Sequence, residues 1–100
     1  MKSGFELTET ADRELWSIWS YIAHDNPDAA DRLSARLHTA MNRLVEFPYL
    51  GHIREDLPAG LRIFSADDYQ IIYDPETDPL QIIHIAGPYQ DVEALASPKS

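Results

Sequence analysis

The chain has 100 residues, 44% of them hydrophobic, and its 17 acidic residues outnumber 8 basic ones to give a formal charge of -9. A chain of this length supports one core, because two would each be too small to bury enough surface, so a single domain over residues 1–100 is expected, with 97–100 as a flexible polar tail. The absence of cysteine excludes disulfides, thiolate metal sites and thiol nucleophiles, and no apolar run nears the roughly 18 residues of a membrane span.

The opening residues, MKSGFELTET, lack the apolar run of a secretion signal, and the expected compartment is the cytoplasm. Phe5 and Leu7 alternate with Glu6 and Thr8, the period of a short strand with one buried face. Thr8 suits a helix N-cap, with Glu9 and Asp12 in the first turn, where the helix dipole favours negative charge. Ala11, Leu15, Ile18, Trp19 and Ile22 then recur at helical spacing to about His24, and this stripe is expected to face the core.

Asn26-Pro27 ends that helix and starts another, since Asn caps well and Pro fits the first helical position. Ala30, Leu33, Leu37, Ala40, Met41 and Leu44 share a broad face of the second helix, which should end near Phe47-Pro48. The linker is short, so an antiparallel helical hairpin is expected. Residues 48–60 hold two prolines and two glycines and read as loop.

Three β-type runs follow at Leu61–Ser65, Tyr69–Tyr73 and Leu80–Ala86, joined by turn chemistry at Ala66-Asp67-Asp68 and at 74–79. Gly87-Pro88 ends the last run, and Asp91–Leu95 is expected to form a final helical turn. The predicted fold is therefore α+β, in the order β-α-α-β-β-β, with the helical hairpin packed on a small antiparallel sheet.

Charge placement narrows the functional classes. Ile63 to Pro98 holds no Lys or Arg, whereas Asp67, Asp68, Asp74, Glu76, Asp78, Asp91 and Glu93 all fall in it. A phosphate-gripping surface needs cations, so direct nucleic-acid binding by this chain alone is not expected. His24, His38, His52 and His84 are too scattered for a ligand pair, and the acidic turn 74–78 lacks the glycine and terminal Glu of a calcium loop. No metal or other cofactor is implied, and no nucleophile elbow is present.

Several segments taken together resemble a known family. They are Leu7-Thr8 leading into a helix, Trp19-Ser20-Tyr21-Ile22-Ala23, and Asn26-Pro27-Asp28-Ala29-Ala30-Asp31-Arg32. Further along come Phe47-Pro48-Tyr49-Leu50-Gly51, Gly60-Leu61-Arg62, Tyr69-Gln70-Ile71-Ile72-Tyr73 and Asp91-Val92-Glu93-Ala94-Leu95. Their order over nearly the whole chain resembles the ParE branch of the RelE/ParE toxin superfamily of type II toxin-antitoxin systems. The resemblance implies a small toxin neutralised by a cognate, ParD-like antitoxin whose C-terminal segment wraps its surface. ParE-like members act on DNA gyrase, and RelE-like members cut messenger RNA on the ribosome.

RNA cleavage needs a group to take the 2'-hydroxyl proton and cations to stabilise the phosphorane-like transition state. Against the family pattern, Asp74 follows Tyr73 where relatives often have Arg, His84 stands where many ParE-like sequences have Arg, and Gln90 replaces the Arg before Asp91. Arg62 is the one familiar cation left in the sheet half, with Tyr89 and His84 as the available acid and base. The reading is therefore a gyrase-directed toxin without turnover of its own. The alternatives are a RelE-like nuclease and a detoxified module that retains antitoxin binding.

Candidate antitoxin- or target-binding residues are Trp16, Arg32, Arg36, Arg62, Tyr69, Tyr73, His84, Tyr89 and Gln90. Trp16 lies off the core stripe and reads either as packing at the core margin or as an anchor for an antitoxin helix. Trp19 reads as core. Arg32, Arg36 and Arg43 form a stripe that either pairs along its own helix, Asp28 with Arg32 included, or docks acidic antitoxin residues. Tyr69 and Tyr73 share a strand face with Ile71, for packing or for a paired hydroxyl surface. The acidic balance implies that the antitoxin's toxin-binding segment carries compensating Lys or Arg.

Overall fold

In a computed structural model, which describes residues 3–88, β1 (Phe5–Leu7) leads directly into α1 (Glu9–Asp25). Thr8 makes that junction: its hydroxyl oxygen accepts the Ala11 N–H at 3.1 Å, which satisfies one of the amide donors a helix start leaves unpaired. Asn26 serves two helices at once. Its backbone N–H donates to the Ile22 carbonyl (2.9 Å) and closes α1, while its side-chain oxygen accepts the Ala29 N–H (3.1 Å) and opens α2 (Pro27–Glu46). A one-residue junction leaves no slack, and the helices fold back on each other as expected.

The helices contribute unequally to the core. α2 buries Ala30, Leu33, Leu37, Ala40, Met41 and Leu44, the whole expected face. α1 buries Ala11 alone, with Leu15, Ile18 and Ile22 partly covered against the core. Trp19, read from the sequence as core, is half-buried at the rim, where its indole N–H donates to Asp31 on α2 (2.9 Å). A polar indole edge with a carboxylate in reach is better placed at the margin than in an apolar interior.

β2 (Arg62–Ala66), β3 (Tyr69–Asp74) and β4 (Leu80–Ala86) form the expected antiparallel meander. β1 joins the far side of β4 in parallel, so the sheet order is β1-β4-β3-β2 and the sheet is mixed. The helices cover one face over Ile71, Tyr73, Leu80, Ile82 and Ile85. The opposite face carries Ile63 and Ile72, packed against Leu57, Leu61 and Ile83. The loop after α2 is thus a structural cover as well as a connector: its Leu57 is buried against Ile63 and Ile72, and its His52 pairs with Ile63.

A bulge in the β3–β4 pairing sets the faces of β4. Ile72 stands opposite His84 but Tyr73 stands opposite Ile82, so Ile83 is the extra residue. Strict alternation separates positions three apart, and the bulge is what lets Ile82 and Ile85 enter the same core.

Because β1 ends opposite Ile82, the next residues of β4 have no strand beyond them. α1 closes that edge: the Thr8 N–H donates to the Ile82 carbonyl (3.0 Å), the Thr8 hydroxyl to the Ile83 carbonyl (3.0 Å), and Glu14 accepts the Ile85 N–H (2.9 Å). Backbone groups left unpaired at such an edge would template strand addition. No helix among the described residues is long and apolar enough to cross a membrane.

Candidate functional site

Neighbours three and four apart share a helix face, and α1 turns Arg13, Glu14, Ser17, Ile18, Tyr21 and Ile22 to one side. Opposite stand Tyr69, at the start of β3, and Gly87 and Pro88, just past β4. The groove between them measures about 440 Å³. Its floor and walls are mainly apolar, and its rim carries Arg13, which forms no ion pair among the described residues. Tyr21 is 84% exposed, so a large aromatic ring stands free at the mouth.

Tyr69 takes its place because the two-residue turn Asp67-Asp68 is tight. Asp67 sits at φ 55°, a left-handed conformation that Asp tolerates better than most residues. Burial pushes the Tyr69 phenol above its ordinary pKa, and the carboxylates of Asp68 and then Asp67 add to the rise. The same turn is tied to α2 through an ion pair between Arg36 and Asp67. Arg36 therefore pairs across the fold and not along its own helix. Asp28 and Arg32 form no ion pair among the described residues.

The remaining candidates divide by what already holds them. Tyr73 is fully buried: its hydroxyl donates to the Pro48 carbonyl (2.7 Å) and accepts the Gly51 N–H (2.9 Å). It pins the loop after α2 onto the sheet, so of the two readings the sequence leaves open for it, packing and a hydroxyl surface shared with Tyr69, the structure has packing. Arg62 clamps the same loop. It donates to the Gly51 carbonyl (2.8 Å) and lies 5.1 Å from the centre of the Tyr49 ring, within cation-π range. The Tyr49 hydroxyl in turn donates to Glu76, and that bond is the largest of the effects that raise its pKa, followed by desolvation and the Glu76 charge, against a lowering by Arg62.

His84 lies against α1, where its Nδ1–H donates to Glu14 (3.2 Å), the carboxylate that also caps Ile85. Arg62 sits on the outer strand β2, whereas His84 pairs with α1 beyond β4, with β3 between them. The cation and the imidazole named as nuclease candidates are thus held by different partners at opposite sides of the sheet. Among the described residues no cluster of three or more His, Asp or Glu could hold a metal ion. Tyr89, Gln90, the helical turn at 91–95 and the tail at 97–100 lie outside the described residues.

Trp16 is 63% exposed on a different side of α1, with its ring centre 5.3 Å from that of Trp19. Sequence reasoning named Trp16 and Tyr69 but missed Arg13, Glu14 and Tyr21. Glu14 and His84 are 70 residues apart, and no local pattern announces such a pairing.

Three comparisons bear on this geometry. The model of the ParE toxin of type II toxin-antitoxin systems, parDE, matches residues 5–87. Toxin ParE3 of Caulobacter vibrioides is 32% identical over 65 residues, which is 65% of each chain. The Y4kP protein of Sinorhizobium fredii is 49% identical over 39 residues, 39% of this chain and 41% of its own. The matched stretch is therefore less than two thirds of either relative's length. A structure of the chromosomal ParDE toxin-antitoxin system of P. aeruginosa superposes with a TM-score of 0.71 at 17% identity, covering 84% of this chain and 94% of that one, a likeness of fold.

Proposed function

The chain belongs to the ParE toxin family of type II toxin-antitoxin systems, and from that premise we propose that it is a one-domain cytoplasmic toxin, held by a cognate antitoxin, that acts on DNA gyrase by binding and not by cutting RNA. The observation that carries this reading is the groove along α1. It is apolar, open and close to the size of a small ligand pocket, yet it gathers no nucleophile with a base and no set of converging cations. Such a surface holds a partner by complementarity.

The antitoxin's toxin-binding segment lies in this groove, its apolar side chains against Ile18, Ile22 and Tyr69 and its rim against Tyr21 and Arg13. Its remaining surface is basic, to complement the acidic toxin. Nuclease chemistry is disfavoured because Arg62 is spent on the Gly51 carbonyl and His84 on Glu14. A second reading has its own support: Asp74 and His84 stand where the family resemblance leads one to expect Arg, which favours a detoxified module that binds antitoxin without harming the cell.

Expression of the toxin without its antitoxin tests the choice. Growth arrest with DNA damage and intact translation is the expected result. Arrest with cleaved message and lost translation refutes the gyrase reading in favour of the nuclease, and normal growth refutes it in favour of the detoxified module. Co-purification tests the groove separately: Tyr21→Ala with Arg13→Ala is expected to weaken antitoxin capture by about tenfold, and unchanged capture removes the groove from the interface.

A further inference from the structure

On the side of α1 away from that groove, Asp12, Leu15, Trp16 and Trp19 join Ser34 of α2 to line a second cleft of about 250 Å³. From this arrangement we infer a binding site for a cationic side chain, arginine above all, carried by a basic segment of a protein partner. Three observations converge on that chemistry.

The first is the aromatic pair. Trp16 and Trp19 stand with ring centres 5.3 Å apart and planes inclined at 40°, and Trp16 remains 63% exposed. Indole is the strongest π-acceptor of cations among side chains, and among the described residues the chain lays a cation of its own over Tyr49 alone, through Arg62. These indoles carry none.

The second is the pair of carboxylates. Asp12 lines the cleft, and Asp31 holds the Trp19 indole N–H at 2.9 Å, which fixes that ring and places negative charge at its edge. A guanidinium suits such a site better than an ammonium because it stacks flat on a ring while donating sideways to a carboxylate.

The third observation decides against an apolar guest. A hydrophobic side chain seated here would strip water from the Asp12 carboxylate and the Ser34 hydroxyl and return no hydrogen bond, a cost that offsets the area gained. A second copy of this chain would bring the same carboxylates, on a molecule of net charge -9, against themselves. A basic segment meets both the rings and the charge. The cleft and the α1 groove use different side chains, so this inference stands whether or not the groove is the antitoxin site.

The chain contains two tryptophans, both in this cleft, so intrinsic fluorescence reads it directly. Capped peptides of alternating alanine with arginine, lysine, leucine or glutamate are titrated into the full chain at about 0.15 M salt, where exposed charges more than ~8 Å apart are largely screened. The arginine peptide is expected to give a saturable change, tighter than lysine, with none from leucine or glutamate. Trp16→Ala, read through Trp19, and Asp12→Asn are each expected to weaken it by about fivefold or more. Ile53→Ala, at an exposed loop position, is expected to bind as the parent does. A leucine peptide that binds equally well, arginine binding that survives both cleft substitutions, or a concentration-dependent signal without peptide would overturn the inference.

Discussion

Tyr73 shows how much one side chain decides. That it shares a face with Tyr69 and Ile71 follows from alternation, which the sequence makes plain, and the packing of the helices makes that face the core one. Its hydroxyl partners, at Pro48 and Gly51, are far back along the chain, and the apolar run around Tyr73 says nothing of them. Gly51 completes the fit: a Cβ there would lie 2.7 Å from the Tyr73 oxygen and 2.8 Å from the Ile63 carbonyl, so the loop approaches this closely only through glycine. Burial is the main cause that raises the Tyr73 phenol above its ordinary pKa of 10.0, with the Gly51 amide and Arg62 pulling the other way. A phenol whose folded pKa is raised binds its proton more tightly in the folded than in the unfolded chain. Its contribution to stability is therefore full below pH 10.0 and is lost as pH rises through the folded value. Tyr73→Phe is expected to lower stability by about 1–3 kcal/mol near neutrality, because a buried N–H and a carbonyl lose their partner. It should also flatten the decline above pH 10.0. Denaturant titrations of both proteins across that range check the two effects separately, and an unchanged alkaline slope would remove Tyr73 from the account.

Between elements, the helix caps were legible and the strand edge was not. Thr8, Asn26 and Pro27 announce their roles because capping is local chemistry over three or four residues. Glu14 reads from sequence as one more acidic residue near the start of a helix, yet it accepts the Ile85 N–H and the His84 imidazole on a strand that local rules cannot bring near. It closes the edge that β1 is too short to cover. Glu14→Ala is expected to destabilise the fold by about 1–3 kcal/mol and to speed hydrogen exchange at the Ile85 amide selectively. Glu14→Gln keeps an acceptor oxygen and is expected to retain most of that protection. Equal exchange in both variants would mean that the carboxamide oxygen cannot replace the carboxylate, and protection unchanged in Glu14→Ala would show that the edge needs no cap. The β4 bulge belongs to the same scale. Ile82, Ile83, His84 and Ile85 form a run in which alternation assigns one set of faces, and the register shift opposite Ile72 and Tyr73 assigns another.

For the molecule as a whole, the acidic balance governs encounter more than fold. On the proposed function, a basic antitoxin segment approaching a chain of net charge -9 would gain its association rate from long-range attraction, and the apolar groove would govern how long the complex lasts. Raising salt from about 0.05 to 0.5 M is expected to slow association by about tenfold or more while changing dissociation little. Stopped-flow mixing separates the two rates, and association indifferent to salt would show that charge does not guide the partners. Arg36 neutralises Asp67 of the β2–β3 turn locally, whereas Arg62, held by the neutral Gly51 carbonyl, keeps its charge in that field.

The sequence by itself determined the element order, the helical hairpin, the α2 core face, the meander and the family, because each is written in short-range periodicity, capping chemistry or the order of short motifs. Only the tertiary structure decided that β1 pairs in parallel, that the loop after α2 covers the second sheet face, that Trp19 sits at the rim, and that Arg62 and His84 are held apart. Those outcomes depend on which distant groups meet. Contacts of that kind are fixed by the simultaneous packing of all the elements, a quantity that no single window of the chain contains.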